Sequence, residues 1–248
     1  MQVKIFVFAL LWSLTLGCNS SPPRGESCDY CPECARVNTG HIGGVSDFAT
    51  IEDFPWMASF GYEKNGMWVH YCGGAVIFDT VLITAAHCFF HRRKANATIR
   101  KMTKVRLGDQ NLNDGINDDN TFEIDKIIPH PYYEGWGPQF DLAMVFTKSK
   151  ITFNDRIRPV CLPTMHYDEP NRYANDEVKF SGWGFFDDVS DFSNDLREAT
   201  FKVLPESECF STDLYERRRR HKGVFFCAGN EVSFQKKKYS KDVNITQK

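Results

Sequence analysis

Beyond its first 17 residues the chain has no apolar run long enough to cross a bilayer, since a membrane helix needs roughly 20 apolar residues in a row. That excludes a spanning segment in the remainder and leaves a soluble mature chain as the expectation. Neither sign of charge is in excess: 30 Lys and Arg against 32 Asp and Glu give a net charge of −2, which excludes nucleic acid as a general partner. No internal repeat is visible, which excludes a repeat architecture. Helical periodicity is weak apart from short stretches near Ala85 to Phe90 and Pro205 to Tyr215.

Cysteine, by contrast, is plentiful. Residues 1–17 carry Lys4 and then an apolar run, Ile5 to Leu16, interrupted by Ser13 and Thr15. This reads as a signal peptide with cleavage between residues 17 and 21, so the chain is expected to be secreted. Nine cysteines in such a chain point to disulfides rather than free thiols or metal ligands. If Cys18 leaves with the signal, eight remain, an even set. A zinc reading of Cys28, Cys31 and Cys34 has suitable spacing but no evident fourth ligand.

Residues 18–41 read as a Cys-rich propeptide. From residue 42 the pattern becomes short β-prone runs between turn residues: Trp56 to Tyr62, Trp68 to Phe78, Val105 to Leu107, Phe122 to Ile128, Leu142 to Phe146 and Glu177 to Phe180. Many short strands with regular turns predict an all-β sandwich or barrel. After Gly229 the character changes again. Residues 230–248 hold five lysines, including Lys236-Lys237-Lys238, and few sizeable apolar residues, so a disordered tail is expected there.

Thr84-Ala85-Ala86-His87-Cys88, then Phe140-Asp141-Leu142-Ala143, Cys161-Leu162-Pro163 and Ser181-Gly182-Trp183-Gly184 together resemble the trypsin-like (chymotrypsin-family) serine proteases. The resemblance covers roughly residues 34 to 230. It implies two Greek-key antiparallel β-barrels with a cleft between them, the second barrel incomplete, and a peptidase domain over residues 42–229. It makes His87 the general base and Asp141 the carboxylate that fixes its tautomer. It also pairs Cys72 with Cys88, Cys34 with Cys161 and Cys209 with Cys227, leaving Cys28 and Cys31 to pair with each other. No cofactor is required by this chemistry, and the partners implied are protein or peptide substrates.

Two features depart from the family pattern. The nucleophile's Gly-Asp-Ser-Gly-Gly string is missing from the sequence. Ser233 and Ser240, the serines after Cys227, lack flanking glycines that would permit the tight turn an oxyanion site needs. The activation segment reads Gly40-His41-Ile42-Gly43-Gly44, with Arg36 the nearest basic residue before it. The chain as written is therefore expected to be inactive, a protease truncated before its serine.

Other candidates lie outside the catalytic set. The acidic loop from Gly108 offers Asp109, Asn111, Asp118 and Asp119 as oxygen ligands for calcium, against a plain polar turn. Asn96, Asn19 and Asn244 open glycosylation sequons, with Asn96 best placed. The basic runs Arg217 to Lys222 and His91 to Lys94 suit a polyanion, against solvated loops. Three functional readings follow: a secreted serine endopeptidase with an incomplete C-terminal part, a non-catalytic protease homologue that binds a protein partner, and a secreted polyanion-binding protein.

Overall fold

The computed structural model describes residues 47–90, 102–115, 118–135, 140–162, 173–184, 193–205, 207 and 228–229. Their named elements are ten strands and two short 3-10 turns, an all-β architecture. Strands β2 (Met57–Lys64), β3 (Met67–Phe78), β4 (Val81–Thr84), β5 (Lys104–Leu107), β6 (Thr121–Pro129) and β7 (Ala143–Thr147) close a barrel in the order β2-β3-β4-β7-β6-β5. Every neighbouring pair is antiparallel. The β2–β3 hairpin turns at Asn65-Gly66, with φ of 53° and 74°, the backbone of a type I′ turn whose twist matches the strands it joins.

Alternation along the strands fills the barrel. Phe60, Val76, Leu82, Val105, Leu107 and Val145 are all fully buried within one cluster. Strand β7 shows the period of two directly, with Ala143, Val145 and Thr147 buried and Met144 and Phe146 less so, because successive side chains point to opposite faces. At Gly74 two layers meet. A Cβ there would lie 2.5 Å from both the Ile83 carbonyl oxygen and the Phe60 ring, so no larger residue fits between β3 and β4.

The remaining strands form a second sheet: β1 (Asp47–Phe48), β8 (Glu177–Gly184), β9 (Ser193–Val203) and β10 (Ala228–Gly229). Strand β9 pairs with β8 and also with β1 and β10, and among the described residues this sheet does not close. It has its own apolar cluster of Ala49, Ile51, Phe54, Met57 and Leu196, flanked by Trp56 and Trp183. Of the predicted runs, Glu177 to Phe180 proves to be the first half of a longer strand that continues through Trp183. Strands β4 and β9 went unread in the sequence.

The loop after β5 joins the barrel to this sheet. The Gln110 side chain accepts from the Ile51 N–H (2.8 Å) and donates to the Ala49 carbonyl (2.7 Å). Its backbone carbonyl accepts from Leu196 N–H at 2.9 Å and from the Trp183 indole at 3.4 Å. Asn111 donates to Asp195 at 2.7 Å. Asp109 accepts from Arg106 at 2.8 Å in an ion pair whose side chains are 1% and 9% exposed. Burial pushes the Asp109 carboxyl up, with Arg106 opposing it. In this arrangement Asp109 Oδ1 is held by Arg106 and Asn111 by Asp195, both turned toward the junction. The Asp118 side chain lies outside the described residues, and Asp119 is exposed.

Candidate active site

The barrel's pairing register brings the two candidate catalytic residues together. Thr84, the last residue of β4, sits opposite Ala143, the first of β7. His87 lies three positions beyond the one and Asp141 two before the other, so both emerge at the same end of the barrel. A 3-10 turn, Ala86–Cys88, carries the histidine. It is held on both flanks. Cys88 is disulfide-bonded to Cys72 on β3, with the Cα atoms 6.2 Å apart, and Phe89 packs edge-on against Phe60 inside the barrel at 5.6 Å. Thr84 adds a hydroxyl bond to the Gly73 carbonyl at 2.7 Å.

Asp141 grips His87 with both oxygens. Oδ1 accepts the His87 backbone N–H at 2.7 Å and Oδ2 lies 2.6 Å from Nδ1. The backbone bond fixes where the carboxylate sits, and the side-chain bond then fixes the imidazole tautomer. With the proton on Nδ1 facing a carboxylate, the lone pair is left on Nε2. The aspartate side chain is 11% exposed and the histidine 53%, so a partly sheltered anion supports an imidazole open to solvent. The hydrogen bond that His87 donates to Asp141 raises the His87 pKa, burial works against it, and the carboxylate's charge adds to the rise. Such a histidine accepts a proton more readily than a free one.

Among the described residues His87, Cys72 and Cys88 form a group with metal-ligand reach. The two sulfurs are bonded to each other, so the group is a covalent brace beside the base rather than a metal site. Nε2 lies 3.9 Å from Cys88 Sγ.

Two nearby groups had no distinct signal in the sequence. His70 on β3 is bonded through Nδ1 to Ser59 Oγ at 2.7 Å, and the Trp68 indole donates to the same hydroxyl at 2.7 Å. With the Trp68 proton received, the Ser59 hydrogen is free to point at His70 Nδ1. Burial lowers the His70 pKa to about 4, and its ring meets Trp183 of the second sheet at 5.9 Å. Tyr133 has its phenol pushed up to about 12, first by burial and then by the charge of Asp141.

Several predicted residues lie outside the described residues: Cys28, Cys31, Cys34, Cys209, Cys227, Asn19, Asn96, Asn244, Ser233, Ser240 and both basic runs. Cys161 is disulfide-bonded. Cys34, its expected partner, lies outside the described residues.

A closed six-stranded barrel presenting a His–Asp pair at one end, with an incomplete second sheet beside it, defines a trypsin-like fold. The trypsin family profile matches residues 43–239, and the chain belongs to that family. The match runs past Gly229 into the stretch read from composition as a tail. Relatives include melanization protease 1 of Drosophila melanogaster, 29% identical over 204 residues, 75% of this chain and 49% of that protein. The clotting factor G beta subunit of Tachypleus tridentatus is 29% identical over 187 residues, 74% of this chain and 55% of its own. Transmembrane protease serine 11A of Homo sapiens is 32% identical over 178 residues, 71% and 38% respectively. The chain thus spans about half the length of the curated relatives it matches. No helix among the described residues is long and apolar enough to cross a membrane.

Proposed function

We propose that this chain is the body of a secreted serine endopeptidase in which His87 is the general base and Asp141 orients and stabilises it. The observation that supports this best is the two-oxygen seat of Asp141 on His87. One oxygen locates the carboxylate against the backbone while the other holds the ring, leaving Nε2 to take a hydroxyl proton from a nucleophile and return it to the leaving amine. Residues 1–17 would be its signal and 18–41 its propeptide. Family chemistry of this kind needs no cofactor, and the geometry of the Asp109 loop gives no support for calcium.

The 248 residues contain no Gly-Asp-Ser-Gly-Gly segment, so in this reading they carry the base and its carboxylate without the covalent path. Oxyanion stabilisation by one donor is itself worth about 3 to 4 kcal/mol, and with the nucleophile absent too, the chain as given should not turn over peptides. Turnover of a peptide-substrate panel by the purified 248-residue chain, abolished by His87→Ala, would refute this. Transcript sequencing that finds Cys-x-Gly-Asp-Ser-Gly-Gly in coding sequence beyond residue 248 would support the endopeptidase reading.

The second reading is a non-catalytic homologue that binds a protein partner through its closed barrel. It is favoured by a closed barrel in a chain without the nucleophile string. Mass spectrometry of secreted protein with the Lys-rich 230–248 segment intact would support it. A polyanion-binding role for Arg217 to Lys222 predicts salt-sensitive heparin retention that disappears when those arginines are replaced.

A further inference from the structure

Phe140 leads directly into Asp141, and its backbone sits at φ 52°. A left-handed conformation is unfavourable for a residue with a bulky side chain, and such strain persists only where the surroundings over-determine it. Here the surroundings are aromatic. The Phe140 ring lies flat on His130, with centroids 4.8 Å apart and planes within 10°. It also meets the Tyr132 ring at 5.5 Å and 60°, and Tyr132 in turn meets His130 at 5.5 Å.

The backbone closes the same bracket. His130 N–H donates to the Leu142 carbonyl and Leu142 N–H to the Phe140 carbonyl, each at 2.8 Å, while Tyr133 N–H donates to the His130 carbonyl at 2.9 Å. The His130 ring is itself held, because its Nδ1 accepts the Tyr132 N–H at 3.1 Å. Asp141 is therefore flanked by two tethered residues, Phe140 and Leu142, with its carboxylate as the group between them that reaches His87.

We propose that Phe140 is a positioning residue for Asp141: its stack on His130 holds the left-handed turn that aims both carboxylate oxygens at His87. The proposal rests on reading His87 and Asp141 as the catalytic pair. A ring is needed here for its flat face rather than for bulk alone, so tyrosine should replace phenylalanine and alanine should not.

Nuclear magnetic resonance of the 248-residue chain tests this without turnover. Phe140→Ala should bring the His87 pKa down toward its ordinary 6.5. It should also speed exchange of the His87 amide by roughly tenfold or more, as expected for loss of a bond to a charged acceptor. Exchange at Ile83 and Met144, paired across β4 and β7, should not change. Phe140→Tyr should keep wild-type values, and His130→Ala should repeat the alanine result from the other ring. An unchanged His87 in folded Phe140→Ala, or a Phe140→Tyr as damaged as the alanine variant, overturns the proposal. If Phe140→Ala does not fold, His130→Ala and Phe140→Tyr decide by the same readouts. Failure of the protease reading would show separately, as an inactive chain even with the serine segment supplied while these resonances behave as expected.

Discussion

His70 should make the fold sensitive to mild acid. Its pKa is lowered from 6.5 to about 4 by burial, between β2, β3 and the Trp183 ring. The unfolded chain therefore binds this proton more tightly than the folded one. As a group with a depressed folded pKa, it contributes stability that is fully present above pH 6.5 and is lost as pH falls through about 4. At about 1.4 kcal/mol per tenfold change in proton affinity, the whole swing is about 3 kcal/mol, a large part of a domain's usual margin. His87 works in the opposite sense, since its raised pKa favours the folded state at low pH. A comparison with His70→Gln isolates the His70 contribution, because the amide can still accept from Ser59 but does not titrate. Urea unfolding should show the wild type losing about 3 kcal/mol more than His70→Gln between pH 6.5 and pH 4. Parallel curves for the two proteins would refute the reasoning and would mean that His70 takes up its proton inside the fold at little cost.

Asp141→Asn should lower the His87 pKa, because the hydrogen bond and charge that raise it are weakened while burial remains; an imidazole titration reads this directly. The stability that His87 supplies below pH 6.5, lost as pH rises through its folded pKa, should disappear with it. Replacing Cys72 and Cys88 by alanine, across a sequence separation of 16, should cost about 3 kcal/mol in denaturant unfolding; non-reducing peptide mapping that finds either one paired elsewhere would contradict the site's register. Arg106→Ala should cost about 3 to 5 kcal/mol, since it strands a buried carboxylate, and Asp109→Asn in the same chain should recover part of that loss.

The parts of the fold legible in the sequence were those where the barrel imposes a local period. Ala143–Thr147 alternates because one face meets the barrel core, whereas Met57–Lys64 is buried over its first five residues and stood out as a β-prone apolar run; these and Met67–Phe78 were each read as a strand to within a residue or two. Strand β9 escaped because only Leu196 and Val203 are buried along its 11 residues, so no apolar rhythm marks it. Strand β4 escaped because Asp79-Thr80 is a two-residue hairpin turn without glycine or proline. The acidic loop shows a related limit: composition shows oxygen atoms, and only packing shows that Asp109 is turned toward Arg106 and Asn111 toward Asp195.

By itself the sequence determined the candidate site residues: an imidazole beside a half-cystine, and a carboxylate ahead of an apolar strand, match the trypsin-like pattern position by position. It also determined the absence of the nucleophile string within these 248 residues. The tertiary structure decided whether that chemistry is assembled. His87 and Asp141 meet because Thr84 and Ala143 are register partners, and the carboxylate reaches the ring because a strained Phe140 is stacked against His130. The His70 proton affinity was likewise settled only by packing, since burial depends on which strands close over a side chain. Local sequence specifies residue types and periods, whereas distances and desolvation arise from long-range pairing that no single window of the chain contains.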